Sequence, residues 1–107
     1  MAVHKKTAFG EDEQQLAKFA KALAHPARIA ILSELAKRQS CVCGEIVEVM
    51  PLAQSTVSQH LKELLAAGLI QGTVDGAKSC YCINPEAIEQ FEKMLGAFLG
   101  SAKKMCC

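Results

Sequence analysis

Six cysteines stand in this chain of 107 residues, in three close pairs: Cys41 with Cys43, Cys80 with Cys82, and Cys106 with Cys107. Thiolate sulfur is a soft ligand that selects soft acceptors such as As(III), Sb(III), Cd(II) or Cu(I). A short cysteine-rich chain can also be a secreted disulfide scaffold. Residues 1–15, however, carry charges throughout and lack the apolar stretch of a secretory signal. No apolar run approaches the ~18 residues of a membrane span. A cytoplasmic setting is therefore expected, where thiols stay reduced. Pairs of reduced thiols there suit metal binding or redox sensing better than bridging.

The pairs differ in what they can do. Cys41 and Cys43 stand at the start of a short expected helix over residues 43–50. Inside a helix their side chains would diverge by about 200°. At a helix entrance Cys41 is still extended, the two sulfurs can converge, and the helix N-terminus favours thiolate. The plainer alternative is two small buried residues, since free cysteine is often core. Cys80 and Cys82 flank Tyr81 in an expected strand. Alternation puts both on one face, and that face is expected to be core. Cys106 and Cys107 end an expected flexible tail over residues 101–107. They either close over a metalloid held by Cys41 and Cys43 or stay idle in solvent.

A second constellation follows the first cysteine pair: Gln54-Ser55-Thr56-Val57-Ser58-Gln59-His60-Leu61-Lys62-Glu63-Leu64. Val57, Leu61, Leu64 and Leu65 make its buried side, and Ser55, Thr56, Ser58, Gln59 and Lys62 the opposite one. Hydroxyls and amides read base edges, with Gln suited to adenine. Lys62 and Lys78 suit phosphates, which position without specifying sequence. An ordinary solvated face would carry more charge and fewer hydroxyls. His60 adjoins the buried stripe, either as a partly covered structural histidine or as a backbone contact. His25, before Pro26, is expected to make a local hydrogen bond. The net charge of +1 excludes a strongly basic nucleic-acid coat. A local basic face remains available, because Arg28, Lys37, Arg38, Lys62 and Lys78 lie mid-chain while acids cluster at Glu11-Asp12-Glu13 and at Glu86, Glu89 and Glu92.

The elements that must position these residues follow from periodicity. Leu16, Phe19, Ala20 and Leu23 mark one face of a helix over 12–24. Pro26 opens a second helix to about Arg38, with Ile29, Leu32, Leu35 and Ala36 at helical spacing. Ile46, Val47 and Met50 face inward on the short helix, which Pro51 ends. The helix from Gln54 stops at Gly68. Residues 69–74 and 79–83 read as strands around the turn Asp75-Gly76-Ala77-Lys78. Asn84-Pro85 opens a last helix bearing Ile88, Phe91, Leu95 and Phe98, with Met94 and Leu99 beside them. Two helices joined by Met50-Pro51-Leu52-Ala53 fit a helix-turn-helix, and the hairpin after them fits a wing. The expected fold is mostly α with a small β-hairpin, a winged helix-turn-helix of order α-α-α-α-β-β-α. It forms a single domain over 1–107 with a flexible arm at 1–10. A chain this short buries only about two-thirds of its unfolded surface, and the apolar last helix offers a face for a dimer.

These motifs resemble the ArsR/SmtB family of winged-helix metal-sensing repressors, and within it the arsenical-resistance repressor branch. The resemblance is carried by Ala22-Leu23-Ala24-His25-Pro26-Ala27-Arg28-Ile29-Ala30-Ile31-Leu32, by Cys41-Val42-Cys43, by Gln54-Ser55-Thr56-Val57-Ser58-Gln59-His60-Leu61 and by Gly68-Leu69-Ile70. It implies a homodimer joined through its first and last helices. That dimer binds a palindromic operator and releases it when inducer binds. Cys41 and Cys43 match the Cys-Val-Cys inducer motif. Gln54, Ser55, Thr56, Ser58, Gln59 and His60 match the DNA-reading helix, and 75–78 the wing tip. Zinc sensors of the family use Asp and His on the last helix, which has no His here. The arsenic motif commonly carries a third cysteine where Ile46 stands, and cadmium and lead sensors add arm cysteines absent here.

The expectation is a non-enzymatic repressor induced by As(III) or Sb(III), without an organic cofactor. The alternatives are a repressor answering Cd(II) or Pb(II), and a redox sensor oxidised at Cys41/Cys43 or Cys106/Cys107. A structural zinc site of Cys41, Cys43, Cys80 and Cys82 is a further one. A thiol reductase is disfavoured, since no Cys-x-x-Cys occurs.

Overall fold

Each helix starts and stops at a local signal. The computed structural model describes residues 8–43, 49–73 and 79–104. The body of the expected short helix, most of the arm, the wing tip with Lys78, and Cys106 and Cys107 lie outside the described residues.

Helix α1 (Glu11–Ala22) begins at Gly10, whose N–H donates to the Glu13 carboxylate at 3.0 Å. Glu11, Asp12 and Glu13 place negative charge on its first turn, where the helix dipole favours it. It ends at Ala22 with Leu23 as its C-cap, two residues short of the range expected from sequence. Helix α2 (Pro26–Arg38) follows at once. His25 caps it, Nδ1 accepting from the Ala27 N–H at 3.0 Å, and Pro26 takes a first-turn position that needs no donor. The local role expected for His25 is therefore observed. The buried stripe of α2 is Ala27, Ile31 and Leu35, and Ile29, expected inside, is 53% exposed.

Helix α3 (Gln54–Ala66) ends in a full Schellman closure. Gly68 sits at φ 82, its N–H reaches the Leu65 carbonyl at 3.0 Å, and the Leu69 N–H reaches Leu64 at 3.1 Å. That closure turns the chain into the strand that starts at Ile70. Helix α4 (Pro85–Ala102) runs two residues into the stretch expected to be a tail.

The sheet has one strand more than the sequence suggested. Strand β1 (Val42–Cys43) joins β2 (Ile70–Thr73) and β3 (Cys80–Ile83) in the antiparallel order β1-β3-β2. Val42 pairs with Tyr81 and Cys43 with Cys80; across the other edge Gly72 pairs with Tyr81. Cys43, expected to begin a helix, is thus extended. The cause is Val42: its β-branched side chain and Tyr81 are both buried under the sheet, at 3% and 1% exposure. Asn84 closes the base of the hairpin, its Nδ2 donating to the Gly68 carbonyl and its N–H to Leu69, both at 3.0 Å.

The core gathers Ile31 and Leu35 of α2, Val57, Leu61 and Leu64 of α3, and Leu69, Ile70 and Tyr81 of the hairpin. Helix α1 meets α4 through Phe19 and Phe91, ring centroids 5.2 Å apart. Farther along α4, Phe98 and Leu99 are exposed. Phe9, just before α1, is exposed as well. Among the described residues no helix is long and apolar enough to cross a membrane.

Candidate DNA-reading face and thiol cluster

Helix α3 shows two chemically distinct sides. Val57, His60, Leu61 and Leu64 are buried. Gln54, Ser55, Thr56, Gln59 and Lys62 are exposed, and Ser58 is half-buried at the margin. The outward set offers amides, hydroxyls and one ammonium, the groups that read base edges and hold phosphates.

His60 does not stand with that set. It is 8% exposed and faces α2, where its Nδ1 accepts from the Arg28 Nε at 3.1 Å. Its ring lies against His25, centroids 4.3 Å apart. Arg28 also donates through Nη1 to the carbonyls of Lys21 and Ala22 at the end of α1. One guanidinium therefore ties the end of α1 and the back of α3 to α2. Burial lowers the pKa of His60 from the ordinary histidine value, and its neighbours His25 and Arg28 lower it further, against a smaller opposing pull from Glu63. His60 therefore lies on the side of α3 that packs against α2, away from the exposed set. The sequence carried a signal for this: Val57, His60, Leu61 and Leu64 are spaced i, i+3, i+4, i+7. Arg28, 32 residues away, had no such signal.

The cysteines also rearrange the expectation. Cys41 and Cys43 lie on the outward side of β1, and Cys80 is exposed on the same side of β3, with Cys82 half-buried. The sheet register sets them in two rungs. Disulfides join Cys41 to Cys82 and Cys43 to Cys80, with Cα–Cα separations of 4.3 and 4.1 Å. The core role expected for Cys80 and Cys82 is corrected. Tyr81 takes the inward position, so strand alternation turns both cysteines out. For the redox alternative at Cys41/Cys43, the structure pairs each cysteine across the strands and not with the other. An open hollow of about 410 Å³ flanks the Cys41–Cys82 rung, between Leu35, Gln39 and Ser40 on one side and Gln71 and Pro85 on the other.

As disulfides these sulfurs are not thiolates, so the form able to bind a soft ion is the reduced one. Reduced, the sheet presents two to four thiols on one accessible face, a donor set suited to a thiophilic ion. Among the described residues no group of three or more His, Cys, Asp or Glu side chains, the four bridged cysteines included, is arranged to hold a metal.

Comparison with known proteins agrees with this geometry. Residues 23–73 match the family described as a helix-turn-helix domain. The arsenical resistance operon repressor of Bacillus subtilis is 37% identical over 90 residues, covering 81% of this chain and 85% of that protein. The transcriptional repressor SmtB of Mycobacterium tuberculosis is 46% identical over 61 residues, covering 57% of this chain but only 44% of that repressor, so the match spans less than half its length. Among solved structures, an ArsR-like transcriptional regulator from Rhodococcus superposes with a TM-score of 0.68 over 86% of both chains at 20% identity, a likeness of fold. The helix-turn-helix, the three-stranded wing and the B. subtilis match across most of both chains carry one conclusion: the chain belongs to the ArsR/SmtB family of winged helix-turn-helix transcriptional repressors, which are DNA-binding regulators and not enzymes.

Proposed function

We propose that the chain is a cytoplasmic, homodimeric repressor that holds a palindromic operator and releases it when As(III) or Sb(III) binds the Cys41 and Cys43 thiolates. The observation that carries this reading is the pairing of β1 with β3: the thiol pair and the wing hairpin share one sheet. A change at Cys41 and Cys43 therefore acts directly on β3, the strand that returns from the wing. The B. subtilis arsenical repressor supports the inducer class.

Two copies joined through α1 and α4 would cover Phe9, Phe98 and Leu99. Their α3 helices would then enter successive major grooves about 34 Å apart. Gln54, Ser55, Thr56, Ser58 and Gln59 face the bases, while Lys62 and Lys78 take phosphates. His60 acts only through the pose of the helix.

Tighter binding of the metalloid by the off-DNA state is sufficient for induction. Linkage then requires operator DNA to weaken metalloid binding by the same factor. Arsenite affinity of the reduced protein, measured with and without saturating operator, tests this. A ratio of about 5–150 is expected for a typical coupling, and equal affinities would sink the proposal.

The two disulfides favour one second reading, a repressor released by thiol oxidation. A hydroperoxide would accept two electrons for each disulfide formed. Release of operator by peroxide alone, with peptides linked Cys41–Cys82 and Cys43–Cys80, is its signature.

A further inference from the structure

The inducer site as proposed above has two sulfurs, that of Cys43 in β1 and that of Cys41 just before it, and the position at which the family motif commonly carries a third is Ile46. Sulfurs from a different strand stand beside them. The register Val42↔Tyr81 and Cys43↔Cys80 places Cys80 directly opposite Cys43, and by the same alignment Cys82 opposite Cys41. The disulfides show that each sulfur reaches its partner across the strands. The two rungs are separated by about 7 Å along the sheet, so a side-chain rotation brings a sulfur of one rung toward the other.

We propose that strand β3 supplies the missing ligand: in the reduced protein Cys41, Cys43 and one of Cys80 or Cys82 form a cross-strand trithiolate site for As(III). The inference rests on the arsenite reading above and adds the wing strand to the site. Arsenite enters as As(OH)3. Three thiols condense with it, three As–S bonds form, and each thiol proton leaves with a hydroxyl as water. Arsenic stays in the trivalent state, and no electrons move. Reaching this form from the disulfides consumes two equivalents of a low-molecular-weight thiol per bridge, which leave as its own disulfide. The ion and the disulfides compete for the same sulfurs, so oxidised protein does not bind arsenite. Bound across β1 and β3, the ion clamps a sheet whose only contribution from β1 is two residues long. It does so on the face opposite Val42 and Tyr81, without disturbing the core.

The test uses full-length protein with Cys106→Ser and Cys107→Ser as background, reduced with a phosphine so that no external thiol can ligate. Arsenic-edge X-ray absorption gives the number of sulfurs, and a titration gives the affinity, for this background and for the same chain with Cys80→Ser and Cys82→Ser. Circular dichroism and operator binding check that the serine variant is folded. Three sulfurs in the background, two in the serine variant and an affinity at least tenfold weaker are the expected results. Three sulfurs at undiminished affinity in the serine variant would overturn the role of β3 while leaving arsenite sensing intact. No arsenite binding by the background or by wild type would overturn the functional reading itself.

Discussion

Replacing Arg28 by Ala tests how the reading helix is held. Arg28 makes the contact to His60 at 3.1 Å and two more, at 3.4 and 3.3 Å, to the Lys21 and Ala22 carbonyls. His60 is nearly closed to solvent, so losing the donor leaves a buried acceptor unmet, at a cost of about 1–3 kcal/mol. The cation at the C-terminal end of α1 adds about 0.3–1 kcal/mol through the helix dipole. A total of about 1–4 kcal/mol follows, which lowers Tm by about 5–30 °C in a domain of this size. Thermal melts should be run at one fixed protein concentration, because a dimer's stability depends on it. Arg28→Lys recovers less than half, since a single ammonium cannot match the planar fork that reaches His60 and the α1 carbonyls together. In a cycle with His60→Ala the two changes should couple by more than about 0.5 kcal/mol. A loss under about 0.5 kcal/mol for Arg28→Ala, the size of an ordinary surface change, would refute the clamp.

Three other outcomes are expected. His60 has a folded pKa below its unfolded value near 6.5. Its unfolded form therefore binds more protons as the pH falls, and its contribution, whole above about pH 6.5, is lost as the pH drops toward the folded pKa. Melts between pH 8 and 5 should show Tm declining below neutrality, with a shallower decline in His60→Gln; equal slopes would remove His60 as the cause. Gly68 and Gly72 both have positive φ, but a Cβ at Gly68 meets nothing, whereas one at Gly72 lies 2.8 Å from the Tyr81 Cα and collides with the Cys80 carbonyl. Gly68→Ala should cost about 1–2 kcal/mol from backbone conformation alone, and Gly72→Ala clearly more in a denaturant titration. Equal costs would remove the steric share.

The helices were readable from the chain because their signals are local. Pro26, Gly68 and Asn84-Pro85 mark boundaries within a few residues of the stripes they bound, and the turn at 50–53 declares itself by Pro51. The wing strands were readable for the same reason. What was hidden depends on distant partners. A two-residue strand shows no periodicity, and β1 forms because Val42 finds Tyr81 across the sheet. The cysteine pairs lie 41 and 37 residues apart, so no spacing rule joins them. Tyr81 did carry a hint, since a large apolar residue between two cysteines takes the inward place and turns them outward. The family motif directed attention to Cys41 and Cys43 and to the outer side of α3. It grouped His60 with the reading residues, although helical spacing already set His60 on the buried stripe.

Arsenite is proposed to act through Cys41 and Cys43 to release DNA. Fluorescence anisotropy of labelled operator bound to the reduced protein, titrated with arsenite, tests it most directly, for wild type and for Cys41→Ser/Cys43→Ser. Release from wild type, with the double variant bound throughout, is the expected result. Retention of operator by wild type at saturating arsenite, or equal release from both proteins, would contradict it.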